Sequence, residues 1–565
     1  MKALKGERKA NRRIRLLLAV FIVVFAATLV RAAWLQGVSS ASLGRMAQRQ
    51  HRESIPIPAG RGTIYDRTGV QLAIGEQTTT VYADPRELTQ PRKVAVAAHQ
   101  LLGANANQLY PLLLNRHTSF VYIARFADPK AAATFLKRKF TGVNSYPEEK
   151  RVYPQGTVGA QLVGYAGTDN KGLAGLEVQY DKSLSGKAGE QTIVRDPFGR
   201  AIDVISSTAE RQGSDVFTTI DHTIQANAEA VLRQTVSHWG AKGATAVVLD
   251  PRTGAVLAMA QAPGYDANKG NSVPFAIQRN RAVTDTYEPG STFKLVTIAG
   301  ALSSGLVTPG TTFKLPYSIP VADRIVHDAE PRPTETLSVA QILSHSSNVG
   351  AVTIAEKLGS TELADWIARF GFGKTTGLDF PGESAGQVLP LDKWSGSTIG
   401  NVPIGQGIAV TPMQMAAAYA AIANGGVWVE PHLVDRVGGR VMHYRPHRRI
   451  VSRPIDAELK AMLTNVVDEH GATGNAAQIA GYTVAGKTGT AQKPGPNGYT
   501  TGKYVASFVG MVPVSKPRLV VLVTVDEPHG SIFGGEVAAP AFAQIAKFDL
   551  QYLEVQPDAS LTPSR

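Results

Sequence analysis

The longest uninterrupted apolar run lies near the start of the chain. Residues 16–30 are apolar except for Thr28, and after Arg31 the run resumes with Ala32, Ala33, Trp34 and Leu35. At about 1.5 Å of rise per residue, some 20 such positions cross the hydrocarbon core of a bilayer. Residues 16–36 are therefore predicted to form a transmembrane helix. Arg31 can reach the interface, where Trp34 also belongs. The length of the run, and the Arg beside any cleavage point, favour an uncleaved anchor over a signal peptide. Residues 37–50 turn polar while keeping a helix-compatible pattern, as expected of a stalk.

Beyond residue 50 the pattern shortens. Arg61-Gly62-Thr63-Ile64-Tyr65-Asp66-Arg67-Thr68-Gly69 leads into Val70-Gln71-Leu72-Ala73-Ile74 and reads as a short hairpin. Residues 75–185 mix short helical patterns with strands such as 78–82 and show no chemical constellation, as in a structural or docking domain. A strand at 216–220 and a helical pattern at 223–238 come next. The apolar runs 244–249 and 255–260, joined through Asp250-Pro251-Arg252-Thr253-Gly254, form a hairpin buried on at least one face. Residues 291–470 read as helix-rich, with periodic segments at 338–358, 363–369 and 412–424. Strands return at 482–485, 488–492, 505–512 and 519–525. Sheet, helices and sheet again make an α+β domain. The predicted organisation is a basic segment at 1–15, the anchor at 16–36, a mixed α/β pedestal at 37–225, a second domain at 226–553 and a disordered tail at 554–565.

The net charge of +13 is concentrated: residues 1–15 hold seven Lys and Arg against Glu7. The cationic flank precedes the apolar run, which places the N-terminus in the cytoplasm and everything after residue 36 outside. No basic run interleaved with aromatics follows, which argues against nucleic-acid binding. With no cysteine, disulfides, zinc-thiolate sites and a Cys nucleophile are excluded. The twelve His residues lack H-E-x-x-H spacing, and no metal or cofactor is expected.

Three short motifs carry candidate chemistry. Tyr287-Glu288-Pro289-Gly290-Ser291-Thr292-Phe293-Lys294 is a Pro-Gly break delivering Ser291 to a helix start, with Lys294 one turn on. A partly desolvated Lys can act as base for a Ser nucleophile; an N-cap Ser beside a solvated Lys fits the same pattern. Ser344-His345-Ser346-Ser347-Asn348 offers a hydroxyl and a carboxamide two residues apart, or simply a capping cluster. Lys487-Thr488-Gly489-Thr490 lies in an apparent strand, whose alternation sends Lys487 and Gly489 to one face and Thr488 and Thr490 to the other. There Gly489 would admit a substrate backbone and Lys487 would supply a fixed positive charge.

Together, in this order and inside one α+β domain, S-x-x-K, S-x-N and K-T-G resemble the signature of the penicillin-binding proteins and serine β-lactamases. The chain as a whole is similar to the class B penicillin-binding proteins, the monofunctional peptidoglycan D,D-transpeptidases, and most like their division-specific septal type. Residues 61–69, Arg151-Val152-Tyr153-Pro154, residues 172–177, Asn280-Arg281-Ala282-Val283, Gly405-Gln406-Gly407 and Thr411-Pro412 fit that resemblance. It implies a non-catalytic pedestal and a penicillin-binding transpeptidase domain, an antiparallel sheet with a helical subdomain. It also implies roles: Ser291 as the acylated nucleophile, Lys294 as its base, Ser346 as proton relay, Asn348 orienting the substrate amide and Lys487 polarising the relay. Thr488 and Thr490 would bind the terminal carboxylate beside Gly489, with the N–H groups of Ser291 and Thr490 as oxyanion hole. His345 is expected to be structural. Implied partners are peptidoglycan stem peptides and nascent glycan, β-lactams, the membrane, a lipid II-polymerising glycosyltransferase and other divisome proteins. The alternatives are a D,D-carboxypeptidase or β-lactamase-type hydrolase, and a non-catalytic β-lactam sensor or divisome scaffold.

Overall fold

The computed structural model describes residues 2–38, 52–57, 59–195, 201–444, 447–495 and 498–559. Most of the expected stalk at 37–50 lies outside them. The chain divides into two bodies, Met1–Ala59 with Gly186–Gln212, and Gly60–Ser185 with Gly213–Arg565.

The first body holds the apolar segment, a helix from Lys2 to Ala33 that continues as a π-helical turn, Trp34–Val38. Its window Asn11–Gly37 is long and apolar enough to cross a membrane, and none of it is buried. The same body has an antiparallel three-stranded sheet in the order Arg52–Ile57, Gly189–Arg195, Ala201–Thr208.

The second body contains a five-stranded antiparallel sheet in the order Val256–Ala262, Gly243–Leu249, Leu519–Asp526, Gly498–Val512, Ala485–Gly495. Its apolar strands are buried on both faces, which explains why their sequences run apolar without alternating. The pleat sends Ala246 and Val248, with their partners Val523 and Val521, into one core. That core includes Ile224 and Leu232 of helix His222–Trp239 and Phe542 and Ile545 of helix Ala539–Tyr552. Val247 and Leu249, with Leu522 and Val520, face the other core, which holds Ile298 of helix Lys294–Ser303 and Met413 and Tyr419 of helix Pro412–Ala423. Caps fix these helices. Asp221 accepts from Thr223 N and Ile224 N, and Thr411 forms a capping box with Gln414 ahead of Pro412 at the first turn.

Several elements differ from the sequence expectations. The periodic stretch 338–358 is two helices, Val339–Ser344 and Asn348–Leu358. They separate because Ser346 takes the left-handed conformation, φ +61°, and the Ser347 hydroxyl caps the second helix through Gly350 N. Two small ribbons, Thr312–Leu315 with Glu335–Ser338 and Ser318–Val321 with Arg324–His327, interrupt the helix-rich region. A second sheet crosses the expected boundary at residue 225. It pairs Ile64–Tyr65, Gln71–Ala83 and Val216–Thr218 with Val434–Val437, a strand from the later half of the chain. Residues 554–559 of the expected disordered tail are tied down: Asp558 accepts from Thr483 N and Oγ1, and Tyr482 OH donates to Val555 O.

Residues 60–185 do contain a constellation, made of paired charge. Arg61, 1% exposed, donates to Glu177 Oε2 and to Asp181 Oδ1 at 2.7 Å each, and to Asn170 O, Ser185 Oγ and Glu177 O. Arg151 Nε and Tyr153 OH donate to the other Glu177 oxygen. Motif residues far apart in sequence thus meet in one buried ion network.

Candidate functional site

Ser291 sits in a 3-10 turn, Gly290–Phe293, from which the α-helix Lys294–Ser303 continues. With three residues per turn, side chains at i and i+3 eclipse, so Ser291 and Lys294 project from one edge more closely than an α-helix would place them. Glycines set the turn. Gly290 has φ +56°, and a Cβ there would lie 2.8 Å from Thr490 O. At Gly405 a Cβ would come within 2.2 Å of Gly290 O, while Gly290 N donates to Gly405 O. From behind, Tyr419 OH donates to Thr292 O at 2.9 Å.

The Ser346 turn meets Lys294. The Lys294 amine donates to Ser346 O at 2.5 Å, to Asn348 Oδ1 at 2.8 Å and to Ser346 Oγ at 3.3 Å. Ser346 earns its strained left-handed backbone here, since that conformation turns both its carbonyl and its hydroxyl to one amine. Asp328 holds the turn: it accepts from Ser347 Oγ, Asn348 N and Val349 N, and Arg332 pairs with its second oxygen. Asn348 Nδ2 donates to His327 O. His345 points away, to Glu469 Oε1 at 3.4 Å.

Lys487-Thr488-Gly489-Thr490 lies on Ala485–Gly495, the edge strand of the five-stranded sheet. The expected alternation appears in the register. Lys487 pairs with Val509 of the core beneath the nucleophile helix, and Thr488 with Phe508 of the opposite core. Gly489 departs from the expectation. A Cβ there would stand 2.3 Å from Ser507 Oγ and 2.8 Å from Pro289 O, so what approaches this glycine is the chain's own nucleophile loop. Thr488 is 6% exposed and donates to Thr473 Oγ1 at 2.8 Å. Thr490 is half-buried, and its hydroxyl accepts from Gly534 N.

Electrostatics separate the two lysines from ordinary ones. Burial pulls the Lys294 amine down to about 7, against an opposing pull from the Asp328 carboxylate. Lys487 is wholly buried and, among the described residues, donates to Thr488 O and Oγ1 alone. Burial first, and then the charge of Lys294, push its amine well below its ordinary value. The expected fixed positive charge at Lys487 is therefore conditional: two amines so placed titrate as a pair and resist being protonated together.

The structure thus joins Lys294, Ser346 and Asn348 by hydrogen bonds, sets Lys487 within electrostatic reach and seats Gly489 against the loop that carries Ser291. Ser291 Oγ makes no hydrogen bond among the described residues, to Lys294 Nζ included, whose bonds go to Ser346 and Asn348. Motif reading gave no role to Asp328, Gly405, Tyr419 or Thr473. Only Gly405 stood inside a quoted motif; the other three act across the fold and leave no local pattern.

Two family models match the chain: the penicillin binding protein transpeptidase domain over residues 244–547 and the penicillin-binding protein dimerisation domain over residues 56–218. The chain is 34% identical to the peptidoglycan D,D-transpeptidase FtsI of Escherichia coli, over 97% of this chain and 93% of the relative. Among solved structures, it is similar to a peptidoglycan synthetase from Bifidobacterium adolescentis, with 27% identity and a TM-score of 0.74 over 90% of this chain and 98% of that one. Penicillin-binding protein 3 of Mycobacterium tuberculosis complexed with aztreonam is 30% identical, with a TM-score of 0.70 over 90% and 99%. With a dimerisation domain ahead of a transpeptidase domain and similarity along nearly its whole length, this chain belongs to the class B penicillin-binding proteins.

Proposed function

We propose that the protein is a peptidoglycan D,D-transpeptidase of the septal type, anchored by its N-terminal helix with residues beyond 36 outside the cytoplasm. The observation that carries the reading is the free Ser291 hydroxyl one 3-10 turn from a buried Lys294 whose amine titrates near neutrality. In the first half-reaction Ser291 Oγ attacks the penultimate D-Ala carbonyl carbon of a D-Ala-D-Ala stem peptide and passes its proton to Lys294 Nζ. The tetrahedral oxyanion accepts from the N–H groups of Ser291 and Thr490, each such donor being worth roughly 2.7–4 kcal/mol. The C–N bond then breaks, and the proton returns through Ser346 to the leaving D-Ala amine. In the second half, the amine of another stem peptide attacks the ester, and Ser291 Oγ regains a proton as the cross-link forms.

Asn348 orients the donor peptide's amide, and the edge strand at Gly489 and Thr490 pairs with its backbone. Thr490 takes the terminal carboxylate, with Thr488, through Thr473, keeping the strand in place. Lys487 biases the protonation of Lys294. The catalytic unit spans residues 226–553 and the pedestal residues 37–225, with residues 434–441 completing the pedestal sheet. The aztreonam complex of the mycobacterial relative supports β-lactams as covalent ligands of Ser291. A lipid II-polymerising glycosyltransferase and other division proteins are the proposed partners.

Fluorescent penicillin tests this reading. A stable adduct on the full-length protein, lost in Ser291→Ala, is the expected outcome. Rapid turnover of the drug would indicate a hydrolase, and absence of labelling in folded protein a scaffold.

A further inference from the structure

A cavity of about 630 Å³ opens in the catalytic body, lined by none of Ser291, Lys294, Ser346 or Lys487. Tyr287 and Glu288, just ahead of the nucleophile turn, form one wall, and the Ala491–Pro494 end of the edge strand another. Its volume falls within the usual range of small-molecule sites, about 300–1,000 Å³.

The lining carries three acids, Asp285, Glu288 and Asp526, and two cations, Arg281 and Lys493. Each lining acid is engaged: Asp285 by Arg279 and Thr284, Glu288 by Gly407 N and Tyr499 OH, and Asp526 by Lys493. Lys493 is in turn shared between Asp526 and Glu527. Arg281 is the exception. Its guanidinium has no acidic partner among the described residues, and its Nε is buried with no hydrogen bond. Tyr287 OH is also buried and unpartnered, but it has no accessible surface toward the cavity. Thr245 and Thr524 are paired across two neighbouring strands of the lining, and neither hydroxyl has a partner among the described residues. The Arg281 guanidinium and the two threonine hydroxyls thus offer donors to one cavity with no protein acceptor on them among the described residues. The remaining wall is apolar, from Val388, Leu389, Ile408 and Val505.

We infer that this cavity is a second binding site, for a small carboxylate with an apolar body. The carboxylate lies between the Arg281 guanidinium and the Thr245 and Thr524 hydroxyls. A bidentate Arg–carboxylate pair supplies orientation, and the apolar wall holds the rest of the ligand. The site is independent of the role proposed for Ser291.

Ligand-observed NMR on the full-length protein in nanodiscs, with Ser291 first blocked by penicillin G, provides the test. The probes are 3-phenylpropionate and its neutral amide. The acid is expected to bind at least about tenfold more tightly than the amide, from an ion pair worth about 1.4 kcal/mol or more. Arg281→Met should remove that preference, and the double variant Thr245→Val/Thr524→Val should reduce it. Labelling by fluorescent penicillin certifies that each variant is folded. A stem tripeptide lacking D-Ala is the second probe: tighter binding than phenylpropionate assigns the site to a cell-wall peptide, weaker binding to a free acid. Equal affinity for acid and amide, retention of the preference in Arg281→Met, or no binding at millimolar concentration overturns the inference.

Discussion

Arg61 and Lys294 are both buried cations, with 1% and 0% of their surface exposed, and they meet opposite fates. Burial lowers the pKa of Arg61, but the charges of Glu177 and Asp181 and their hydrogen bonds outweigh it, so the guanidinium is held in its charged state. At Lys294 burial prevails, because the nearest acid, Asp328, is committed to Arg332 and the Asn348 helix start and makes no direct bond to the amine. Paired buried charge fixes structure. Buried charge left without an ion pair becomes reactive chemistry.

Ser291→Ala should give the largest effect, complete loss of covalent penicillin labelling with an unchanged melting temperature. Lys294→Met should lower the acylation rate by about 10²–10⁴-fold, the usual worth of a general base. Arg61→Ala reverses that pattern. It leaves one Glu177 oxygen and Asp181 without their guanidinium, Arg151 still pairing the other Glu177 oxygen, and should cost about 1–3 kcal/mol of stability, read in denaturant unfolding, while the protein that remains folded acylates at the normal rate. Arg61→Lys should not rescue it, because an ammonium cannot span Glu177 and Asp181 as the planar fork does. Gly489→Ala forces apart the edge strand and the nucleophile loop and should cost about 1–3 kcal/mol, appearing mainly as slower acylation. The smallest effect is expected from Asp328→Asn: acylation slowed by about tenfold or less, with the Lys294 midpoint moved downward because the opposing negative charge is gone.

Much of the site was legible because its chemistry is local. Ser291 and Lys294 share one turn, Ser346 and Asn348 one helix start, and Lys487 to Thr490 one strand. What stayed hidden is set by contacts at long range. Asp328 follows the ribbon strand Arg324–His327, which periodicity did not show, and Thr473 gains meaning only from Thr488 bonded to it. The reading of Gly489 as an opening for substrate missed the alternative that another segment of the chain fills the space. Strand Val434–Val437 was invisible for the same reason: a four-residue edge acquires its identity from its partner Val216–Thr218. The Asp558 clamp shows that a polar, Pro-containing tail can still be ordered when a carboxylate finds two donors.

The contrast between the two cations also fixes a pH window. Because the folded pKa of Lys294 lies near 7, the unfolded chain binds the extra proton between there and the ordinary Lys range. This group therefore adds stability as pH rises through that window, and its penalty is fully present below it. Arg61, its pKa raised against burial by Glu177 and Asp181, keeps its charge throughout that window. The most direct measurement is the second-order rate of penicillin acylation of the full-length protein against pH, with spontaneous drug hydrolysis subtracted. A sigmoidal rise with a midpoint near 7, absent from the residual rate of Lys294→Met, is the expected result. A flat profile, or a midpoint near 10 where an ordinary lysine titrates, would contradict a neutral buried Lys294 as the base.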